Sequence, residues 1–296
     1  MKAILLMAHG APKSIDDVEE YVLHIRHGRP LEPAQMDAIK ERYRMIGGSP
    51  LIERTEQQAL ALQNRLAEEN TPHKVFTGMR HSPPFIAETI QRMYHEGVTS
   101  IIAICMAPQF SNLTIGAYEQ ALQNGIAETH APISYELVKS FARHPKLIEA
   151  FAKRIQESLD AHPSSFVIFT AHSLPEKILQ QADPYDYEAK ETARLVAQKL
   201  ALADWRFAYQ SQGMTSDKWL GPTVEARIEE LSAKGIREIL IAPIGFVCDH
   251  VEILYDVDVM FRNYAQERGI TLHRSASLND SPEFISLLFE LVRGRL

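Results

Sequence analysis

The sequence predicts an α/β protein built from two doubly wound, Rossmann-like halves, each with a parallel sheet, facing one another across a cleft. Three observations carry that prediction. Short apolar runs alternate with longer amphipathic ones along the whole chain. The apolar runs fall into two groups of four. Each group opens with a run that stops at Ala-His, "AILLMAHG" at 3–10 and "FVIFTAHS" at 166–173. Strand–helix alternation implies parallel strands covered by helices on both faces. One continuous sheet is the competing arrangement.

The first group of strands is expected at 3–8, 74–78, 100–105 and 132–138, the second at 166–170, 205–209, 238–244 and 270–274. Helical periodicity marks 53–69, 115–128, 146–161, 187–201, 223–234 and 282–293, with Thr223 and Ser281 standing where an N-cap belongs. The two halves are therefore drawn as 1–145 and 146–296, with the last helix a candidate to pack back on the first half. The stretch 11–52 breaks the alternation. It is helical, rich in Arg, His and Tyr, and too long for an ordinary crossover, and insertions of that kind often carry function.

Composition narrows the field. With 45% hydrophobic residues in 296, a large core is feasible and disorder is not expected. A net charge of −7 argues against a nucleic-acid binder held by phosphate contacts and against an anionic membrane surface. No apolar run is long enough to span a bilayer, and strand-like sequence begins at once, without a signal peptide. Cys105 and Cys248, isolated in apolar surroundings, suit reduced core residues of a cytoplasmic protein and cannot by themselves hold an iron–sulfur cluster.

Ligands of open α/β sheets bind beyond the carboxyl ends of the strands. Three polar clusters fall there: His9 after the first strand, His172 and Ser173 after the fifth, and Asp249, His250 and Glu252 after "ILIAPIGFV". Any one of them reads equally simply as a helix cap or a hydrogen-bonded turn. Three at equivalent edges place imidazoles and carboxylates around one cleft, which suits divalent-metal handling or proton transfer. No G-x-S-x-G elbow, H-E-x-x-H helix, Walker A loop or G-x-G-x-x-G turn is present. A metal held loosely, as a passing substrate, fits better than a closed site.

The stretches "AHSLPEKI" (171–178), "QSQGMTSDKWLGP" (210–222) and "APIGFVCDHVEILYD" (242–256), with "ERYRMIGGSPL" (41–51) and "APQFS" (107–111), together resemble the ferrochelatase family in the right order across almost the full chain. The resemblance is strongest to the compact, soluble enzymes of Gram-positive bacteria, which lack a cluster-binding extension and use coproporphyrin III. It implies ferrous iron and porphyrin as substrates, no permanently bound cofactor, a monomer, and transient contact with another enzyme of the haem pathway. On the family pattern His172 is the central base or metal ligand, and Glu252 faces it across the macrocycle as iron ligand or proton acceptor. Asp256, four residues beyond Glu252, would share its face and pass a cation inward, or simply favour the helix dipole. The family often continues that acidic row, but here the next position is Met260.

His250 and Asp249 are expected to orient Glu252 and its loop, and Ser173 to cap the turn beside His172. Arg26, Arg42, Tyr43, Ser49 and Tyr118 match positions that contact the porphyrin or its propionates, for which arginine is the suited cation. His81 matches a family histidine of no assigned role. His9 stands where the Gram-positive enzymes usually carry a tyrosine able to ligate product iron, and the resemblance implies axial ligation through nitrogen instead. The alternatives are a protoporphyrin IX enzyme, a sirohydrochlorin cobalto- or ferrochelatase, and a non-enzymatic haem carrier.

Overall fold

A computed structural model describes residues 1–213 and 215–296; Met214, inside the 210–222 motif, lies outside the described residues. The strands form two separate sheets. The first holds β1 (Lys2–Ala8), β2 (Val75–Met79), β3 (Ser100–Cys105) and β4 (Ser134–Val138) in the order β2-β1-β3-β4. The second holds β5 (Phe166–His172), β6 (Arg206–Gln210), β7 (Glu238–Pro243) and β8 (Thr271–Arg274) in the order β6-β5-β7-β8. All pairings are parallel, so one topology occurs twice, and the single-sheet arrangement is excluded. The strands lack strict alternation because both faces are covered: Ala3 through Met7 are fully buried.

The insertion forms α1 (Val18–Ile25) and α2 (Pro33–Met45), and α3 (Leu51–Glu68) returns the chain to the sheet. Then come α4 (Ile86–His95), α5 (Ile115–Glu128), α6 (Pro145–Ala161), α7 (Tyr185–Lys199) and α8 (Val224–Ala233). Thr223 and Ser281 do cap: each hydroxyl accepts from a backbone N–H three residues on, those of Ala226 and Phe284. After β7 the helix is broken in three. A short α9 (Val251–Leu254) runs into a π-helical turn (Asp256–Phe261), where Met260 N–H reaches back five residues to the Tyr255 carbonyl at 2.9 Å, and then α10 (Arg262–Gln266). Last, α11 (Pro282–Arg293) packs on α6 and on α3 of the first half.

Hydrophobic packing does not respect the division between sheets. Ile4, Leu6, Leu62 and Ile104 of the first half share one core with Phe169, Leu240, Phe284 and Leu288 of the second. A smaller core in the insertion, Val18, Val22, Met36 and Tyr43, packs against Val251 at the start of α9, so the insertion leans on the second half. Two acids, buried Asp183 and half-buried Glu188, stitch the seam with charge-assisted hydrogen bonds. Asp183 accepts from Ser111 Oγ at 3.0 Å and from the Asn112 N–H at 2.7 Å, and Glu188 accepts from the Phe110 N–H and Ser140 Oγ. Among the described residues no helix is long and apolar enough to cross a membrane.

Candidate active site

β5 runs two residues further than its apolar stretch suggests, so His172 is its last residue. The ring Nδ1 faces the Ser173 carbonyl, which can only accept, so Nδ1 carries a proton and Nε2 points into the cleft. There it lies 3.2 Å from Glu252 Oε1. The His172 carbonyl is held by the Tyr185 hydroxyl at 2.8 Å. Ser173 does not cap its own turn as expected. Its hydroxyl donates to the Leu220 carbonyl at 2.8 Å, because the residue is buried under the 219–221 loop and that carbonyl is its reachable partner.

Glu252 comes from the loop after β7. Gly245 lets that loop close on β5: a Cβ there would sit 2.7 Å from the Ala171 Cα. The backbone is fixed by Gln210, whose amide donates to the Glu252 carbonyl at 2.9 Å while its oxygen accepts from Thr170 Oγ1 at 2.7 Å. The second carboxylate oxygen faces His250 Nε2 at 3.5 Å, and His250 Nδ1 donates to the Cys248 carbonyl. Glu252 therefore lies between two imidazoles, each oriented by a backbone carbonyl in the manner of metal-ligating histidines.

Electrostatics follow from this bracket. Burial alone would push the Glu252 carboxyl up, but the facing His172 and His250 outweigh it and hold it well below the usual carboxylate range. Burial likewise lowers the His172 imidazole, and the Glu252 carboxylate overrides that and raises it. Each group thus favours the charged form of the other. Asp256 is brought in with them: burial and the neighbouring Glu252 charge push it up to about 6, and the Ser211 hydroxyl donates to it. Asp249 is not brought in. Its carboxylate is taken by Arg274, Ser277 and Asn279, which overcome burial and keep it ionised, so it anchors the loop and does not touch Glu252.

His9 stands directly after β1, which ends at Ala8, and its side chain remains solvent-accessible. It feels the charges of both Glu252 and His172, yet desolvation lowers its pKa to about 4, so it is neutral. Its Nδ1 is 2.8 Å from the Tyr21 hydroxyl, and its ring lies against His81 with centroids 4.6 Å apart. His81 is buried, pushed down to about 2 by burial and the neighbouring His9, and pairs with His24 Nδ1 to Nδ1 at 3.0 Å.

The insertion residues divide. Arg26 ends α1 with Nε held by the Arg29 carbonyl and, among the described residues, no partner for its terminal guanidinium nitrogens. Arg42 lies over the Tyr255 ring at 5.4 Å and lowers the Asp256 carboxyl. Tyr43 is buried in the insertion core with its hydroxyl against Tyr21, and Tyr118 is buried on α5 beneath Arg80. Ser49 Oγ is buried without a partner among the described residues, an orphan hydroxyl of the kind a substrate satisfies. Sequence reasoning missed Tyr21, Tyr185 and Gln210. Only Gln210 had a signal, since it opens the 210–222 motif at a strand end.

The family model of ferrochelatase matches residues 1–296. A protein named ferrochelatase from Herpetosiphon aurantiacus is 39% identical over 99% of this chain and 98% of its own length. One named coproporphyrin III ferrochelatase from Bacillus subtilis is 35% identical over 99% and 97%. In solved structures the same fold recurs in the Bacillus subtilis protein SirB with Fe3+, at a TM-score of 0.62, 12% identity and coverage of 99% and 94%. With this fold, the His172–Glu252 pair and sequence likeness along the full length, the chain belongs to the ferrochelatase family of enzymes that insert iron into a porphyrin.

Proposed function

We propose that this enzyme inserts ferrous iron into coproporphyrin III, giving iron coproporphyrin III, as a cytoplasmic monomer without a resident cofactor that hands its product to another haem-pathway enzyme. The observation that carries the reading is the different setting of two strand-end imidazoles: His172 meets the Glu252 carboxylate at 3.2 Å, whereas His9 meets the Tyr21 hydroxyl and the His81 ring, and their pKa values move in opposite directions. Titratable groups whose surroundings separate their pKa values divide acid–base work between them.

Metallation removes two pyrrole N–H protons and puts Fe2+ in their place. His172 can take a pyrrole proton only after losing the one it shares with Glu252, and Nε2 is the atom that receives it, since Nδ1 is occupied. Glu252 stabilises the imidazolium so formed, and its two oxygens also suit it to an incoming cation. Asp256, near 6, stands next in line to hold a proton or steady a cation on that side. His9, neutral with Nε2 toward the cleft, ligates the iron of the product. Arg26, Arg42, Tyr43, Ser49 and Tyr118 hold the macrocycle, with the free guanidinium of Arg26 suited to a propionate. Relatives named for coproporphyrin III at 33–35% identity support that substrate, beside others at 37–40% named only ferrochelatase.

Anaerobic incubation with ferrous iron and either porphyrin, followed by loss of free-base absorbance, tests this. Coproporphyrin III should be consumed with one equivalent of iron and faster than protoporphyrin IX. Equal or faster use of protoporphyrin IX would remove the substrate assignment. Tight haem binding without turnover would mean a carrier, and metallation of sirohydrochlorin alone would sink the porphyrin reading.

A further inference from the structure

Tyr21 lies on the first turns of α1, twelve residues from His9, and its hydroxyl meets two groups of the β1 terminus at once. The oxygen is 2.9 Å from the Gly10 carbonyl and 2.8 Å from His9 Nδ1. A carbonyl oxygen only accepts, whereas the neighbouring Tyr43 hydroxyl can itself donate, so the single phenolic proton goes to Gly10. The Tyr21 oxygen then presents a lone pair to His9, and that contact is a hydrogen bond only when His9 Nδ1 bears the proton. We propose that Tyr21 is a positioning residue that locks His9 in its Nδ1–H tautomer, leaving the Nε2 lone pair directed at whatever metal occupies the cleft.

The surroundings leave little freedom for another arrangement. Gly10 turns the chain at φ +93°, a conformation that favours glycine, and a Cβ there would sit 2.4 Å from Ser82 Oγ. That same Ser82 oxygen accepts from the Ala11 N–H at 3.1 Å, fixing the turn that aims the Gly10 carbonyl. The Tyr21 ring is packed against the insertion core of Val18, Val22 and Tyr43. The second half reaches the same tautomer by another device, the main-chain carbonyl of Ser173 beneath His172. His172 is thus set by the strand end itself, whereas His9 is set by a helix of the insertion. The readiness of His9 as a ligand depends on α1 being docked.

The use made of the Nε2 lone pair rests on the reading of His9 as a ligand to product iron, but the tautomer is measurable without iron or porphyrin. Long-range 1H–15N correlation on the full-length, metal-free protein with 15N-labelled histidine reports which ring nitrogen is protonated, with H9Q identifying the His9 signals. The expected result is a single Nδ1–H form in the wild type and a shift of population toward Nε2–H in Y21F, with His172 unchanged as the check on the fold. A wild-type His9 protonated on Nε2 overturns the assignment without any variant, and so does a Y21F spectrum with Nδ1–H undiminished. Should H9A leave the absorption spectrum of bound iron coproporphyrin unaltered while the tautomer result holds, the ligand reading falls and the role of Tyr21 stands.

Discussion

β1 and β5 occupy the same place in two sheets of the same order, but β1 ends at Ala8 with His9 just beyond it, whereas β5 runs on to end at His172. What separates their histidines is the neighbouring strand ends. Beside β1, the turn after β2 supplies Arg80 and His81, whose backbone N–H groups bond the Ala8 and His9 carbonyls. Desolvation, reinforced by the Arg80 charge, takes His9 down to about 4. Beside β5, the end of β6 supplies neutral Gln210, followed by Ser211, and α9 brings Glu252 against the ring, so His172 moves the other way. A repeated backbone thus delivers two imidazoles, and the flanking segments push their pKa values in opposite directions.

The contrast is open to direct attack. Removing the base should have the largest effect: His172→Ala is expected to lower kcat by about 10²–10⁴-fold with porphyrin binding retained. His9→Ala should keep most of the insertion rate and change the spectrum of the bound product. A loss in His9→Ala equal to that in His172→Ala would erase the distinction.

The pH profile sharpens it further. Protonated His172 cannot accept a pyrrole proton, so kcat falls as pH drops through its pKa. Because Glu252 raises that pKa above 6.5, the acid limb should lie above the value of a free imidazole. In Glu252→Gln the carboxylate is gone and burial is opposed only by the Ser173 carbonyl and the Asp256 charge, so the limb, measured on the remaining activity, should move to lower pH. The limb belongs to the coupled pair and reports it as a unit. An unmoved limb would detach His172 from Glu252.

The smallest effects are on stability and compare the two strand-end glycines. Gly245→Ala forces a Cβ onto the Ala171 backbone, which cannot rotate away, and should cost about 3 kcal/mol. Gly10→Ala meets the Ser82 hydroxyl and a positive φ and should cost about 1–2 kcal/mol. Urea unfolding of both variants checks the order. A reversed order would place the tighter constraint in the first half.

Much of this was legible because the signals are local. All eight strands fell within a few residues of their apolar runs, and Thr223 and Ser281 cap as their positions imply. A strand that ends in histidine announces a site without any knowledge of partners. What stayed hidden depends on meetings between distant segments. Nothing in "EEYVL" says that Tyr21 returns to Gly10, because the 11–17 loop decides it. Asp249 reads as a companion of Glu252 three residues on, yet Arg274 and Asn279, some 25 and 30 residues away, claim its carboxylate. The π-helical turn escaped as well, since one extra residue per turn leaves the same periodic pattern over so short a stretch.

The shared core has a consequence for how the chain came to be divided. Ile4, Leu6 and Leu62 are sealed by side chains of the second half, and α11, the last helix, closes over α3 of the first. Cutting between the sheets would leave each half with an uncovered apolar face, the surface that drives aggregation. The two halves can be told apart in a diagram and cannot be pulled apart in water. Any ancestral single unit of this topology would have needed a second copy of itself to hide that face, and the cleft would then have lain on the axis between the copies.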